Sequence, residues 1–216
     1  MARNPLWRDE YWLMLMQIYL RRPVGVKPTY SRAMVDLSLE LHIPPHQLHS
    51  RMEQIAVLGT PRLRYFWKQY SDSPKRLARA VRLLREMKGF GAADEFYDGV
   101  EVQETFERDF RPLPEDPRFT PVMLIIILDL YFKLTPSTMV SDTPDVVELA
   151  RLMHISPSDV VDVLDIFKVC DPYLGRLGLS FSPLLGPCRE LWMKFEGDEG
   201  ALLRQTAQEL MDYYTC

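Results

Sequence analysis

The stretch LHIPPHQLHSRMEQI, residues 41 to 55, returns in altered wording as MHISPSDVVDVLDIF, residues 153 to 167. Sliding the sequence against itself by 112 positions aligns residues 7 to 58 with 119 to 170 without a gap. Trp7 meets Phe119, Tyr19 meets Tyr131, Val35 meets Val147, Leu37 meets Leu149, His42 meets His154, Ile43 meets Ile155 and Pro45 meets Pro157. Apolar positions coincide along nearly the whole register. A match of this length in both identity and polarity predicts a duplication, and two copies predict tandem domains rather than a solenoid.

Each copy reads as helices. Asp9 and Glu10 stand at the start of a helix running to about Leu20, which Pro23 and Gly25 close. In copy two Thr120 precedes a first-turn proline, Pro121, and the apolar run continues to about Phe132. Helices follow at about residues 32–41 and 144–153, then at 45–56 and 157–168. Ser73 and Pro74 start a further helix that Gly89 ends, with Leu77, Val81, Leu84 and Met87 as its inner stripe. Counterparts in copy two are expected at 190–195 and 201–214. No stretch alternates with strand period for long, so the predicted class is all-α. The expected organisation is a basic helical module at 1–88, an acidic and partly ordered linker at 89–117, and an acidic module at 118–216. The linker's aromatic residues predict that part of it, about 100–110 as a short helix, packs against a domain.

Length and composition permit two self-sufficient cores without metals or disulfides. Three cysteines without a CxxC pair fit neither a disulfide framework nor a zinc site, and they point to a reducing compartment. The opening MARNPLWRDEYW has no apolar run with a cleavage site, so no secretory signal is expected. The most apolar window, residues 122–132, contains Asp129 and is far shorter than the roughly 20 residues of a membrane span. A cytoplasmic protein is therefore expected.

The net charge of -4 hides a division. Residues 1 to 88 carry +9 and residues 89 to 216 carry -13. Such asymmetry marks a face suited to a polyanion beside one suited to a protein partner, although two unrelated solvated surfaces would also produce it.

Two helices joined by a three- or four-residue turn, with a buried aliphatic residue in that turn, describe a helix-turn-helix. Ile43 and Ile155 are the expected plugs. In copy two Ser156 and Asp159 are spaced as a capping box. The outward faces of the second helices differ: His46, Gln47, His49, Ser50 and Arg51 in copy one, and Ser158, Asp159, Asp162 and Asp165 in copy two. Gln and Arg are side chains that bind adenine and guanine edges, whereas a carboxylate row repels phosphates. Copy one is thus the expected groove reader, with Gln47, His49 and Arg51 toward base edges. Residues 62 to 88 hold nine bases against two acids. Arg62, Arg64, Lys68, Lys75, Arg76, Arg79 and Arg82 are the expected phosphate contacts, which would make binding salt-dependent. An ordinary amphipathic helix with its bases in water explains their spacing equally well.

His42, His46 and His49 could place two imidazoles on one helical face, but lone His154 at the position of His42 points to a structural role, so no metal is expected. No phosphate-binding glycine loop, zincin motif or nucleophile pair is present. No cofactor is expected.

The wording from Phe119, FTPVMLIIILDLYFKL, then DVVELARLMHISPSDVVDVLDIFKVCDP and ELWMKF, resembles the N-terminal helical module of bacterial HNH restriction-endonuclease-like proteins. That module opens with an aromatic and Thr, has LNLY and IELA helices and a TPS turn, and reaches a Trp-containing helix after LDP. Copy two fits over most of residues 119–214, and copy one more loosely over 7–58. The resemblance implies a bacterial helical module that helps engage DNA. The nuclease's paired histidines have no counterpart, so cleavage is not implied. A basic contact from the loop after the first helix is implied for copy one, which keeps Pro23, Gly25 and Lys27, and not for copy two.

The sequence thus predicts a non-enzymatic DNA-binding or transcription-associated protein in which copy one meets double-stranded DNA and copy two serves assembly. The alternative is an interaction module in which the acidic half binds a protein partner or makes a homo-oligomer without DNA affinity.

Overall fold

The computed structural model describes residues 7–87, 90, 105–174, 182–196 and 200–216. Among these residues there are eleven α-helices, one short 3-10 turn and no strand. The chain divides into two compact units with the boundary between Gln103 and Glu104.

The first unit is built around α1 (Tyr11–Tyr19), in which Tyr11 through Met16 and Ile18 are all buried. A helix apolar on every side is stable only when covered on every side. The helices α2 (Arg32–Leu41), α3 (Pro45–Ala56), α4 (Pro61–Tyr70) and α5 (Pro74–Arg85) all pack on it. Past its C-terminus, the Gly25 N–H donates to the Tyr19 carbonyl at 3.0 Å. The Lys27 ammonium donates to the carbonyls of Arg21, at 2.9 Å, and Pro23. The loop cation that resemblance implied for ligand contact is therefore occupied in holding the chain after α1.

Helix α2 stops because His42 turns left-handed, at φ 53° and ψ 35°, and the Ile43 N–H reaches back to the Ser38 carbonyl at 3.1 Å. Imidazole tolerates this region better than branched side chains do. Pro44 and Pro45 then start α3, since a first-turn proline forfeits no hydrogen bond. Ile43 is fully buried in the turn, and Leu48, Met52 and Ile55 form the inner stripe of α3.

The second unit is likewise built around one buried helix. Its centre is α7 (Pro121–Lys133), buried from Val122 through Tyr131, and α6 (Thr105–Asp109) packs on it. After a 3-10 turn at Pro136–Thr138 come α8 (Pro144–Met153), α9 (Pro157–Cys170), α10 (Leu185–Phe195) and α11 (Ala201–Thr215). Helices α9, α10 and α11 pack on α7, and α8 packs on α9. Asp129 is the one charged group within α7's buried run, and Lys133 holds it at 2.5 Å. His154 has φ 58° and ψ 37°, and the Ile155 N–H donates to the Ala150 carbonyl at 3.0 Å, the turn of His42 at the same offset. Thr120 caps α7 by accepting from the Met123 N–H, and Ser156 and Asp159 form the expected capping box on α9. The aromatic pairs correspond too: Tyr19 meets Trp67 edge-on at 6.0 Å, and Tyr131 meets Trp192 at 5.7 Å.

Several expectations are corrected. Residues 61–70 form a helix of their own, because Thr60 caps it and Leu63 and Phe66 anchor it. Two buried residues beside the exposed Tyr65 and the half-buried Trp67 and Tyr70 make too weak a stripe to show in the sequence. Met87 is 60% exposed rather than inward, since α5 already ends at Arg85. Helix α10 starts at Leu185 rather than near residue 190; Leu184 and Cys188 are buried there, and Gly186 and Pro187 fall in a first turn, where their cost is low. Val35 is fully buried but its counterpart Val147 is 43% exposed, so the registers agree more closely in backbone than in burial. Of the segment expected to be helical at about 100–110, residues 105–109 are, and 100–104 lie outside the described residues, as does Gly89. Phe110 packs on Tyr213 at 5.2 Å, so this end of the acidic segment belongs to the second unit.

Leu15 has no solvent exposure. Leu15→Ala should lower the unfolding free energy of the first unit by about 2–5 kcal/mol in urea denaturation, and a loss under about 1 kcal/mol would contradict a packed core around α1.

Candidate nucleic-acid interface

Helix α3 does not present the surface expected of it. His46 and Ser50 are exposed, while Gln47, His49 and Arg51 are half-buried. Arg51 is the only permanent cation of α3, and its guanidinium lies over Trp7 at 4.8 Å with Trp12 at 5.9 Å. Trp7 is in turn edge-on to Trp12 and Tyr11. Arg51 therefore fastens α3 to the aromatic entrance of α1 instead of reaching for a guanine edge. The outward face of α3 carries Glu53, whose carboxylate stands 3.9 Å from His49. Without Arg51 this face has an acid and no fixed positive charge.

Helices α4 and α5 are different. Between residues 61 and 85 stand eight bases and one acid, Asp72. Arg62, Arg64, Lys68, Lys75, Arg76, Arg79 and Arg82 are all exposed. Lys75, Arg79 and Arg82 share one face of α5, at spacings of four and three. Opposite that face Leu77, Val81 and Leu84 are buried, which fixes the basic row outward. Among the described residues no carboxylate pairs with Arg64, Lys68, Lys75 or Arg79, and Arg82 has only an exposed contact with Glu86 at 3.8 Å. Arg85 is the exception: Glu40 accepts from it at 2.6 and 2.7 Å, and these bonds raise its pKa further. Arg85 is thus a structural cation linking α5 to α2, at the rim of a cleft of about 160 Å³ between α1, α2 and α5.

Aromatic rings are woven into this surface. Arg62 lies over Phe66 at 4.7 Å and over Tyr65 at 5.9 Å. Arg76 lies over Tyr70 at 5.3 Å and donates to Gln69 at 3.2 Å. Tyr65 itself is 53% exposed. It is absent from the residues singled out by sequence, where Tyr65, Phe66 and Trp67 read alike; only Tyr65 faces water to this degree.

The second unit has no equivalent basic row on its last helix. In α11, Leu203, Ala207 and Leu210 repeat the spacing of Leu77, Val81 and Leu84. Where α5 places Lys75, Arg79 and Arg82, α11 places Ala201, Gln205 and Gln208. The carboxylates of α9 are also less free than their spacing suggested. Asp159 serves the capping box and meets Arg118, which grips Asp116 at 2.7 Å, and Asp165 takes Lys168 at 2.7 Å.

Burial pushes the Cys188 thiol up to about 12, so it is neutral and no nucleophile at ordinary pH. Tyr131 donates to Asp171 at 2.7 Å, and burial together with that carboxylate raises the phenol's pKa. Among the described residues no three of His, Cys, Asp and Glu come close enough to share a metal ion, and no helix is long and apolar enough to cross a membrane. No family, curated protein or solved structure matches the chain.

Two outcomes follow from this geometry. Arg51→Gln should destabilise the first unit by about 1–2 kcal/mol in thermal melts, through the lost contact with Trp7 and Trp12, while polyanion affinity changes less than about twofold, a difference of under ~0.5 kcal/mol. Hydrogen bonds from Arg118 lower the pKa of Asp116, and those from Ser156 lower that of Asp159. A carboxylate depressed in the folded state adds stability above its unfolded pKa, near 4, and loses it as pH falls through the folded value. Arg118→Ala should therefore lower the melting temperature of the second unit at pH 7, and the difference from the parent protein should shrink as pH falls through the lowered pKa of Asp116.

Proposed function

We propose that this protein is a non-enzymatic nucleic-acid-binding protein, associated with DNA or transcription, that grips phosphates through α4 and α5. The carrying observation is the exposed row Lys75, Arg79 and Arg82, with Arg64 and Lys68 also exposed on α4 and no acid in either helix. Cations without a protein partner keep condensed counterions on a polyanion exchangeable, and releasing those counterions drives binding. The α2–turn–α3 arrangement supports a helix-turn-helix descent, as does the resemblance to the helical module of HNH nuclease-like proteins. On the geometry of Arg51 and Glu53, however, α3 contributes little to base reading, and recognition is dominated by the phosphate backbone. The second unit, which has no such basic row, serves assembly.

A second reading has its own observation. Phe132 and Met193 are exposed on the second unit, Phe132 stacked on Trp192 at 5.4 Å, and Tyr173 is almost wholly in water. Apolar exposure of this kind suits a protein partner or a second copy. Sedimentation at low and high salt, without nucleic acid, separates the readings: dimers that dissolve with salt in a protein indifferent to DNA favour the second.

Fluorescence anisotropy with a labelled duplex tests the first. Binding is expected at about 50 mM salt, weakening with a log–log slope near -5 if six phosphates are engaged. Replacing Lys75, Arg79 and Arg82 together by Ser should reduce that slope by about 3 without unfolding the protein. No binding at low salt, or binding indifferent to salt, overturns the proposal.

A further inference from the structure

Resting on the reading just given, we propose that the surface of α4 and α5 takes unpaired nucleic acid in preference to a duplex, with Tyr65 as the ring on which a base stacks. Along one face of α4 the order is Arg62, Tyr65 and Gln69, spaced three and four apart, and Arg76 of α5 joins it through its hydrogen bond to Gln69. This makes a continuous strip of cation, open ring, amide and cation. Arg64 and Lys68 stand beside the strip on the same helix, both exposed.

Two independent features favour single strands. The first is the ring. Tyr65 keeps 53% of its surface in water although neighbouring Phe66 is buried and the Arg62 guanidinium lies over the Tyr65 ring at 5.9 Å. A duplex shows a cationic helix its phosphates and keeps its base faces stacked away, so an open ring there finds nothing to pair with. An unpaired strand offers base faces between phosphates, and every base has one. The second feature is α3. To enter a major groove, the second helix of a helix-turn-helix must pass between two phosphate rows. In this unit that helix points Glu53 outward and has its one arginine committed to Trp7. The acid opposes entry, and that face carries no fixed positive charge to offset it.

The chemistry recognised is a flexible polyphosphate backbone with free base faces, which either single-stranded DNA or RNA supplies. Anisotropy with a twelve-nucleotide oligo-dT, the matching oligo-U, and a hairpin duplex of equal phosphate number distinguishes these at one low salt concentration. The single strands are expected to bind at least about fivefold more tightly than the duplex, and the ratio of oligo-dT to oligo-U names the source. Tyr65→Ala should weaken single-strand binding about tenfold, a size typical of one stacked base. Tyr65→Phe should retain it, and duplex affinity should be the same for all three proteins. Unchanged circular dichroism and melting temperature establish that the variants are folded, as expected for so exposed a side chain. A duplex bound as tightly as the single strands, or single-strand binding indifferent to Tyr65→Ala, overturns this inference and leaves the phosphate-gripping surface standing. No binding to any of the three nucleic acids overturns both.

Discussion

Each unit of this protein is organised by a helix that has no face of its own to offer water. Tyr11 through Met16 in α1 and Val122 through Tyr131 in α7 are buried without interruption, so neither helix can lie on a surface. Covering such a helix takes neighbours on all sides, and in the first unit α2, α3, α4 and α5 supply them. The longer helices around it have one stripe inward, and most of their remaining positions face water. The units differ chiefly in what fills those free positions: Lys75, Arg79 and Arg82 in one, Ala201, Gln205 and Gln208 in the other.

That division of labour explains how two helical units carry opposite charge. Charges on outward positions cost little, because water solvates them and surface pairs contribute weakly. Several charges inside or half inside the fold are matched: Asp129 by Lys133, Glu107 by Arg111 at 2.9 Å, Arg85 by Glu40 and Arg51 by two tryptophans. What the matched charges do is hold helices together. What the unmatched ones do is set the field around the molecule, and on α4 and α5 that field is positive.

The residues of the candidate interface consequently divide by accessibility rather than by type. Arg51, Arg85 and Lys27 are cations on the basic unit, yet each is spent on a ring, a carboxylate or a pair of carbonyls. Arg64, Lys68, Lys75 and Arg79 are chemically the same kind of group and face solvent. The helix-turn-helix pattern drew attention to α3, but the available charge lies on the two helices that follow it. An open aromatic ring beside that charge adds a face for stacking, which changes the kind of nucleic acid the surface suits.

The sequence by itself determined the helical class, the centres of both units, the capped starts at Thr120 and Ser156, and the matched turns at His42 and His154. These depend on local propensity, capping and apolar spacing, all of which are written within a few residues of one another. It also marked seven of the eight bases of α4 and α5, all but Arg85, as candidates. It did not separate the free from the engaged, because Arg85 finds Glu40 at a distance of 45 residues and Arg118 finds Asp159 at 41. Nor could periodicity reveal that Val35 is covered while Val147 is not, or that Tyr65 is open while Phe66 is closed. Whether a side chain is available depends on which distant helix packs beside it, and only the tertiary structure decides that.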